Sequence, residues 1–327
     1  MMSNFKKKEP INICQVSLRR DIPIILENYK NFKKFYKYFN VYIICPDDEL
    51  TEFKNKLNFE EFHFLSEDEI FSLNELNDIF INLNDNVNYK ENFKKRLSWY
   101  YQQILKIAFC IHFVKNKKQK IVIWDADTII LKKINFFKNE YSIKYGTLSE
   151  FHKEYFITNR AIIGELPKYF ISSIIQFIGI SRVECDFLLK NLNISADNRR
   201  NFALTISNII FKNIFNNHKV YNGSFFAEYE LIGISNYILN KTRQKALLAL
   251  RTGLNGRLSN IQIFIVRMLN FKHVTYEQAH ENKNSQGMIN RKQSSIRFWK
   301  IIIKTLFKFY LRDIRHYFRY HFSIRNF

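Results

Sequence analysis

Two aspartates one residue apart follow a run of apolar residues: Ile121-Val122-Ile123-Trp124-Asp125-Ala126-Asp127-Thr128. Carboxylates this close repel each other unless a cation shares them. Mg2+ or Mn2+ takes oxygen ligands and bridges readily to phosphate. Metal–phosphate chemistry is therefore the first expectation, with Asp125 and Asp127 as ligands. A second acidic pair, Glu228 and Glu230, flanks Tyr229 in a segment otherwise apolar and aromatic, with Phe225, Phe226 and Leu231. Partial burial there raises a carboxyl pKa, which suits a general base that deprotonates a hydroxyl. Gln102, Gln103 and Lys106 fall on one helical turn, and Gln102 and Lys106, four apart, share a face. That face is either solvated or turned over a sheet edge toward a ligand. His152 and His280 read as hydrogen-bonded structural residues or as ligands.

These groups need a scaffold. The apolar run before Asp125 reads as a buried parallel strand, and open α/β sheets build ligand sites at strand C-termini. Residues 11–16 read as a first strand, 24–38 as a helix, 41–45 and 62–65 as further strands, and 93–115 as a long helix. This alternation implies a parallel sheet with helices on its faces. Residues 74–90, rich in Asn, read as an insertion or loop. Residues 171–180 read as a strand, 182–191 as a helix and 199–250 as mostly helical, with short elements at 260–268 and 273–277.

The chain has 327 residues, 46% of them hydrophobic and 17% aromatic, which excludes a disordered protein and allows a large core. Its net charge of +21 calls for an anionic partner. Residues 291–327 hold ten Lys/Arg against the single acid Asp313. Arg297, Lys300, Lys304, Lys308, Arg312, Arg315 and Arg319 recur every three or four residues, with Trp299, Ile303, Phe307 and other apolar residues between them. The pattern fits a helix lying on anionic lipid. It also fits a solvated helix that packs its apolar side on the main domain. No nucleic-acid motif accompanies the charge, so nucleic acid is not the expected partner. Cys14, Cys45, Cys110 and Cys185 lack CxxC spacing and read as buried thiols rather than zinc ligands. No apolar leader follows the first methionines, and the longest charge-free stretch, residues 169–181, is too short to span a bilayer.

A haloacid-dehalogenase phosphatase with Asp125 as nucleophile is a rival reading of the aspartate pair. That motif needs Thr four residues after the first Asp, and here position 129 is Ile while Thr stands at 128. A non-catalytic protein binding a membrane or nucleic acid is the third reading.

Several segments resemble bacterial GT-A-type glycosyltransferases, in particular a family of uncharacterised domains from surface-polysaccharide and lipooligosaccharide gene clusters. The segments are Trp99-Tyr100-Tyr101-Gln102-Gln103-Ile104-Leu105-Lys106, the Asp125–Asp127 stretch, Glu150-Phe151-His152-Lys153-Glu154-Tyr155-Phe156, Phe226-Ala227-Glu228-Tyr229-Glu230-Leu231-Ile232-Gly233 and Gln278-Ala279-His280. Ala227 and Ile232 depart from the family pattern, which often has Ser and an aromatic there. The resemblance implies that Asp127 holds Mn2+ or Mg2+, with Asp125 toward the metal or the ribose and His280 as a late ligand. It implies that Arg19 or Arg20 pairs with phosphate and Asp21 with the base or ribose, and that Gln102, Gln103 and Lys106 meet the phosphates or the donor sugar. Glu228 or Glu230 then serves as the base.

The expected architecture is a GT-A-like (Rossmann-like), mostly parallel sheet with helices on both faces and a C-terminal amphipathic helix. A catalytic domain over 1–285 would precede a basic tail over 286–327. The expected activity is that of a hexosyltransferase that moves sugar from a nucleotide sugar to a lipid-linked or surface glycan, as in lipooligosaccharide or capsule assembly. It would work in the cytoplasm as a peripheral protein on the inner face of a bacterial membrane.

Overall fold

A computed structural model describes residues 9–83, 94–117, 120–147, 152–166, 171–195, 197–218, 224–240, 244–251, 254, 256–276 and 292–310. The strands are β1 (Ile11–Val16), β2 (Phe39–Cys45), β3 (Phe62–Ser66), β4 (Ile121–Trp124), β5 (Thr128–Ile130), β6 (Phe137–Lys138), β7 (Tyr141–Ser142), β8 (Tyr145–Gly146), β9 (Phe177–Ile180), β10 (Lys245–Ala246) and β11 (His273–Thr275). The longer helices are α1 (Ile22–Phe35), α2 (Leu50–Lys56), α3 (Leu73–Leu83), α4 (Leu97–Lys117), α5 (Lys153–Ile163), α6 (Arg182–Leu192), α7 (Arg199–Asn217), α8 (Glu228–Asn240), α9 (Asn260–Met268) and α10 (Ser295–Tyr310).

The central sheet has the order β3-β2-β1-β4-β9. The first four strands are parallel, and β9 closes the edge antiparallel to β4. Alternation along the strands sorts side chains into two layers. Cys14, Ile121 and Ile123 face a layer that holds α4, α7 and α8, whereas Ile13, Val122 and Trp124 face α1 and α2. The chain runs outward from β1 to β2 and β3, then returns to place β4 on the other side of β1. That reversal opens a crevice beyond the C-terminal ends of β1 and β4, the usual ligand position of an open α/β sheet.

Two local expectations change. The Asn-rich stretch begins with a helix, α3, rather than a loop. Ser72 and Glu75 form its capping box, with Glu75 accepting from the Ser72 amide at 2.8 Å and Ser72 Oγ from the Glu75 amide at 3.3 Å. Leu76 and Phe80, four apart, are buried on one face, and Phe80 meets Phe211 of α7 edge-on. The remainder of that stretch lies outside the described residues. The strand expected over 171–180 is confined to β9, because Gln176 takes a left-handed backbone (φ 62°) and breaks the extended run.

A third apolar cluster joins β5 and β11 to α9 and α10 through Ile129, Val266, Val274, Phe298, Ile301 and Ile302. The first part of the basic stretch thus lays one apolar face on the main body. Arg312, Arg315 and Arg319 lie outside the described residues. Among the described residues, no helix is long and apolar enough to cross a membrane.

Candidate active site

The aspartate pair sits in a tight turn. The Thr128 amide donates to the Asp125 carbonyl at 3.1 Å, and the indole of buried Trp124 donates to the Thr128 carbonyl at 2.8 Å. Thr128 itself is buried and shares a hydroxyl–hydroxyl bond of 2.9 Å with Thr275 of β11. The turn is therefore anchored from below, and Asp125 and Asp127 stand at the mouth of the crevice. The Asp125 amide donates to the Gln176 carbonyl at 2.9 Å. Holding a non-glycine residue left-handed costs about 1 kcal/mol, and at Gln176 this conformation accompanies the aspartate turn. With its amide oxygen turned to Arg251, Gln176 accepts from that guanidinium at 2.7 and 3.1 Å.

The crevice opens into a cleft of about 590 Å³. Arg20 and Asp21 line it beyond β1, Asp125 and Asp127 beyond β4, and Trp99, Gln102, Gln103 and Lys106 from α4. His152, Tyr155, Gln176, Glu228, Tyr229 and Arg251 line it as well, together with Arg96, Ser224 and Thr275. The α4 residues reach one cleft because steps of three and four residues keep them on one helical face.

Lys106 is the hub. Its ammonium, almost fully buried, donates to Asp125 Oδ1 at 2.5 Å and to Glu228 Oε1 at 2.9 Å. The Tyr229 hydroxyl donates to the same Asp125 oxygen at 2.7 Å. Burial alone would lower the Lys106 pKa, but Asp125 and Glu228 more than offset it, and the ammonium is held charged. Burial pushes the Glu228 carboxyl up, Asp125 adds to this, and Lys106 opposes it. Burial also raises Asp21, whose Oδ2 accepts from the Leu18 amide at 3.0 Å.

Gln103 and Lys106 were expected to meet donor phosphates or sugar; the geometry gives both a positioning role. Gln103 Oε1 accepts from the Glu228 amide at 3.0 Å, and the Tyr100 hydroxyl accepts from the Phe225 amide at 3.0 Å. One face of α4 thus fixes the entry to α8 and with it Glu228. Gln102 lines the same cleft one residue earlier.

Two of the named residues stand elsewhere. Arg19 points away from the cleft, donating to Glu49 through its amide at 2.6 Å and its Nε at 2.9 Å, with Asp48 and Glu52 nearby. The acidic turn after β2 holds it, and Arg20 faces the cleft in its place. Glu230 is buried and accepts from the Ser173 amide at 3.0 Å. It stands two residues after Glu228 in the first turn of α8, and a two-residue step on a helix is about 200°, so the two carboxylates face opposite ways. His280 lies outside the described residues. The chain comes to the turn just before it, where the Tyr276 amide donates to the Asp127 carbonyl at 2.9 Å. Among the described residues, no three His, Cys, Asp or Glu side chains gather as a ready-made cation site.

Tyr229, Gln176 and Arg251 were not singled out from sequence. Tyr229 carried a signal in its place between two acids; Gln176 and Arg251 carried none, because β9 and the segment after β10 meet the turn only in three dimensions.

No curated protein matches the chain. Residues 17–158 are similar to a family of unknown function, DUF6492, and that span takes in Asp21, the cleft face of α4 and the aspartate turn, but not Glu228.

Proposed function

We propose that the chain is a glycosyltransferase of GT-A-like architecture. It would move a hexose from a nucleotide sugar to a lipid-linked or surface glycan, in lipooligosaccharide or capsule assembly on the inner face of a bacterial cytoplasmic membrane. One observation carries the reading: the Asp125–Asp127 turn lies at the β1/β4 reversal, in a cleft shared by Asp21, Arg20, Arg251 and the buried carboxylate Glu228. Cations there suit a diphosphate, and the polar group at Asp21 suits a ribose or base.

The donor set fits a hard divalent ion. Asp127 would hold it, with the second oxygen of Asp125 available because Lys106 and Tyr229 both use Oδ1. Phosphate oxygens and water commonly complete such a site. When bound, Mn2+ or Mg2+ would supply charge neutralisation for the departing diphosphate.

The chain's own groups do the rest. Glu228, kept basic by burial, would accept the proton of the acceptor hydroxyl as its oxygen bonds to the sugar carbon and the bond to the diphosphate breaks. Lys106 and Gln103 hold Glu228 at one position, so little reorganisation is needed on the way to the transition state. Arg20 and Arg251 would face the diphosphate.

The test is nucleotide-sugar hydrolysis with Mn2+, screened across donors by thermal shift, since a ligand that binds only the native state raises its stability. Asp127→Ala should lower turnover at least a hundredfold without loss of folding. Unchanged turnover in that variant overturns the assignment.

A further inference from the structure

Two helices of the third cluster each expose a row of large apolar side chains. On α9, Ile261, Phe264 and Met268 are 73%, 62% and 70% exposed. At about 100° per residue they fall within an arc of about 60°. On α10, Ile296, Trp299, Ile303 and Phe307 are 87%, 47%, 64% and 65% exposed and fall within about 80°. The opposite sides are accounted for: Val266 of α9 and Phe298, Ile301 and Ile302 of α10 are buried together in that cluster. The helices are also tied at their feet, where Gln262 of α9 donates to the Gln293 carbonyl at 3.2 Å and the Gln293 amide donates to the Arg257 carbonyl at 2.9 Å.

Charge selects the occupant. Lys300, Lys304, Arg297 and Lys308 fill the sector of α10 directly beside its exposed apolar row. Neither α9 nor α10 carries an acid; Arg267 of α9 turns back to donate to Asn31 of α1 at 3.1 Å, so the exposed cations are those of α10. Two acid-free apolar rows, one of them flanked by cations, match an anionic lipid surface, where the rows enter the acyl boundary and the ammonium groups stay among the phosphates.

We infer that α9 and α10 together form one bilayer-insertion surface, so that membrane contact is built into the folded domain rather than confined to a tail. This deepens the membrane part of the proposed function and stands independently of its sugar chemistry. β11, which belongs to the same cluster, pairs with β5 immediately after the aspartate turn. The surface is thereby joined covalently and by packing to the floor of the cleft.

The experiment is co-sedimentation of the full chain with vesicles of phosphatidylcholine alone or mixed with phosphatidylglycerol. The variants are Phe264→Glu/Met268→Glu on α9, Ile303→Glu/Phe307→Glu on α10, and Lys300→Glu/Lys304→Glu. All substitute exposed positions, and circular dichroism and thermal melting check their folding. Wild type should bind only the anionic vesicles. Each apolar pair, on either helix, should weaken partitioning at least tenfold, by losing bulky apolar burial and adding charge. The lysine pair should lower it similarly and reduce its salt dependence. Wild-type partitioning of the α9 variant overturns the proposal, because lipid contact would then lie outside that helix. So does a wild-type dimer that binds no vesicle and dissociates in the α9 variant, since the face would then belong to a second copy. Donor hydrolysis in vesicle-free solution should be unchanged in all three variants; its own loss in Asp127→Ala tests the catalytic assignment separately.

Discussion

Replacing Lys106 by Met removes the one ammonium that Asp125 and Glu228 share, while keeping the length and apolar stem of the side chain. Glu228 is 2% exposed at the cleft wall, so the replacement leaves a carboxylate with too little water to stand in for the lost counter-charge. Removing one partner of a buried ion pair costs about 3–5 kcal/mol, and on a chain of this size that lowers Tm by roughly 4–7 °C. Protonation offers an escape. Without Lys106 the Glu228 pKa, already raised by burial, rises further. A carboxyl whose folded pKa exceeds its unfolded value of 4.5 keeps a proton that the unfolded chain loses, so stability falls as pH climbs above 4.5. The defect of Lys106→Met should therefore be largest at neutral pH and shrink toward pH 5. Glu228→Gln introduced into the same chain should recover most of the loss, because a neutral amide needs no counter-charge. Urea titrations of wild type, both single variants and the double variant, at neutral pH and near pH 5, measure the coupling directly. A Lys106→Met protein with wild-type stability at both pH values would refute the reasoning, as would a double variant no more stable than the single one.

Three further outcomes follow from the same geometry. Glu228→Gln should lower transfer to acceptor by a hundredfold or more while leaving donor binding in place; Glu230→Ala should keep catalysis but lose about 1–3 kcal/mol of stability, since it leaves the buried Ser173 amide without its acceptor. Comparing kcat with Tm in both variants separates the roles. Gln103→Ala removes the acceptor for the Glu228 amide and should cost about 1 kcal/mol together with a fall in kcat at unchanged donor KM, read by steady-state kinetics. Burial, with help from Asp68, Glu49 and Asp48, pushes the Glu67 carboxyl up to about 7. Folded-state protonation then makes wild-type stability decline between pH 4.5 and 7, by at most about 3 kcal/mol and nearer half that for a partly exposed group. Glu67→Gln should flatten that part of the pH–stability profile, as thermal melts across the range will show.

The elements that sequence patterning located best are those with one periodicity. β1, β2, β3 and β4 are short apolar runs bounded by polar turns, and α4 repeats apolar residues at helical spacing over six turns; these elements carry the aspartate turn and the Gln102–Lys106 face. Spacing read without regard to the helix period misleads. Glu228-Tyr229-Glu230 reads as a matched acidic pair if the segment is extended, because residues two apart then share a face. In a helix they are opposed, and only Glu228 meets Lys106 while Glu230 turns into the core. The Ser72–Glu75 capping box was a helix signal that the Asn content of the following stretch masked.

Residues 19 and 20 show the other limit, where the deciding partner is remote. Both are Arg beyond the same strand, and composition alone makes them equivalent candidates for a phosphate. The acidic turn after β2 carries Asp48 and Glu49, and Glu49 captures both the amide and the guanidinium of Arg19. That leaves Arg20 to face the cleft. A pairing across 30 residues of chain depends on the parallel register of β1 and β2, which sets their C-terminal turns side by side. The same register logic governs Gln176 and Arg251: β9 must run antiparallel beside β4 before the Gln176 carbonyl can meet the Asp125 amide. The chemistry of the aspartate turn is therefore written in eight consecutive residues, but its electrostatics are set by partners that only the completed sheet brings within reach.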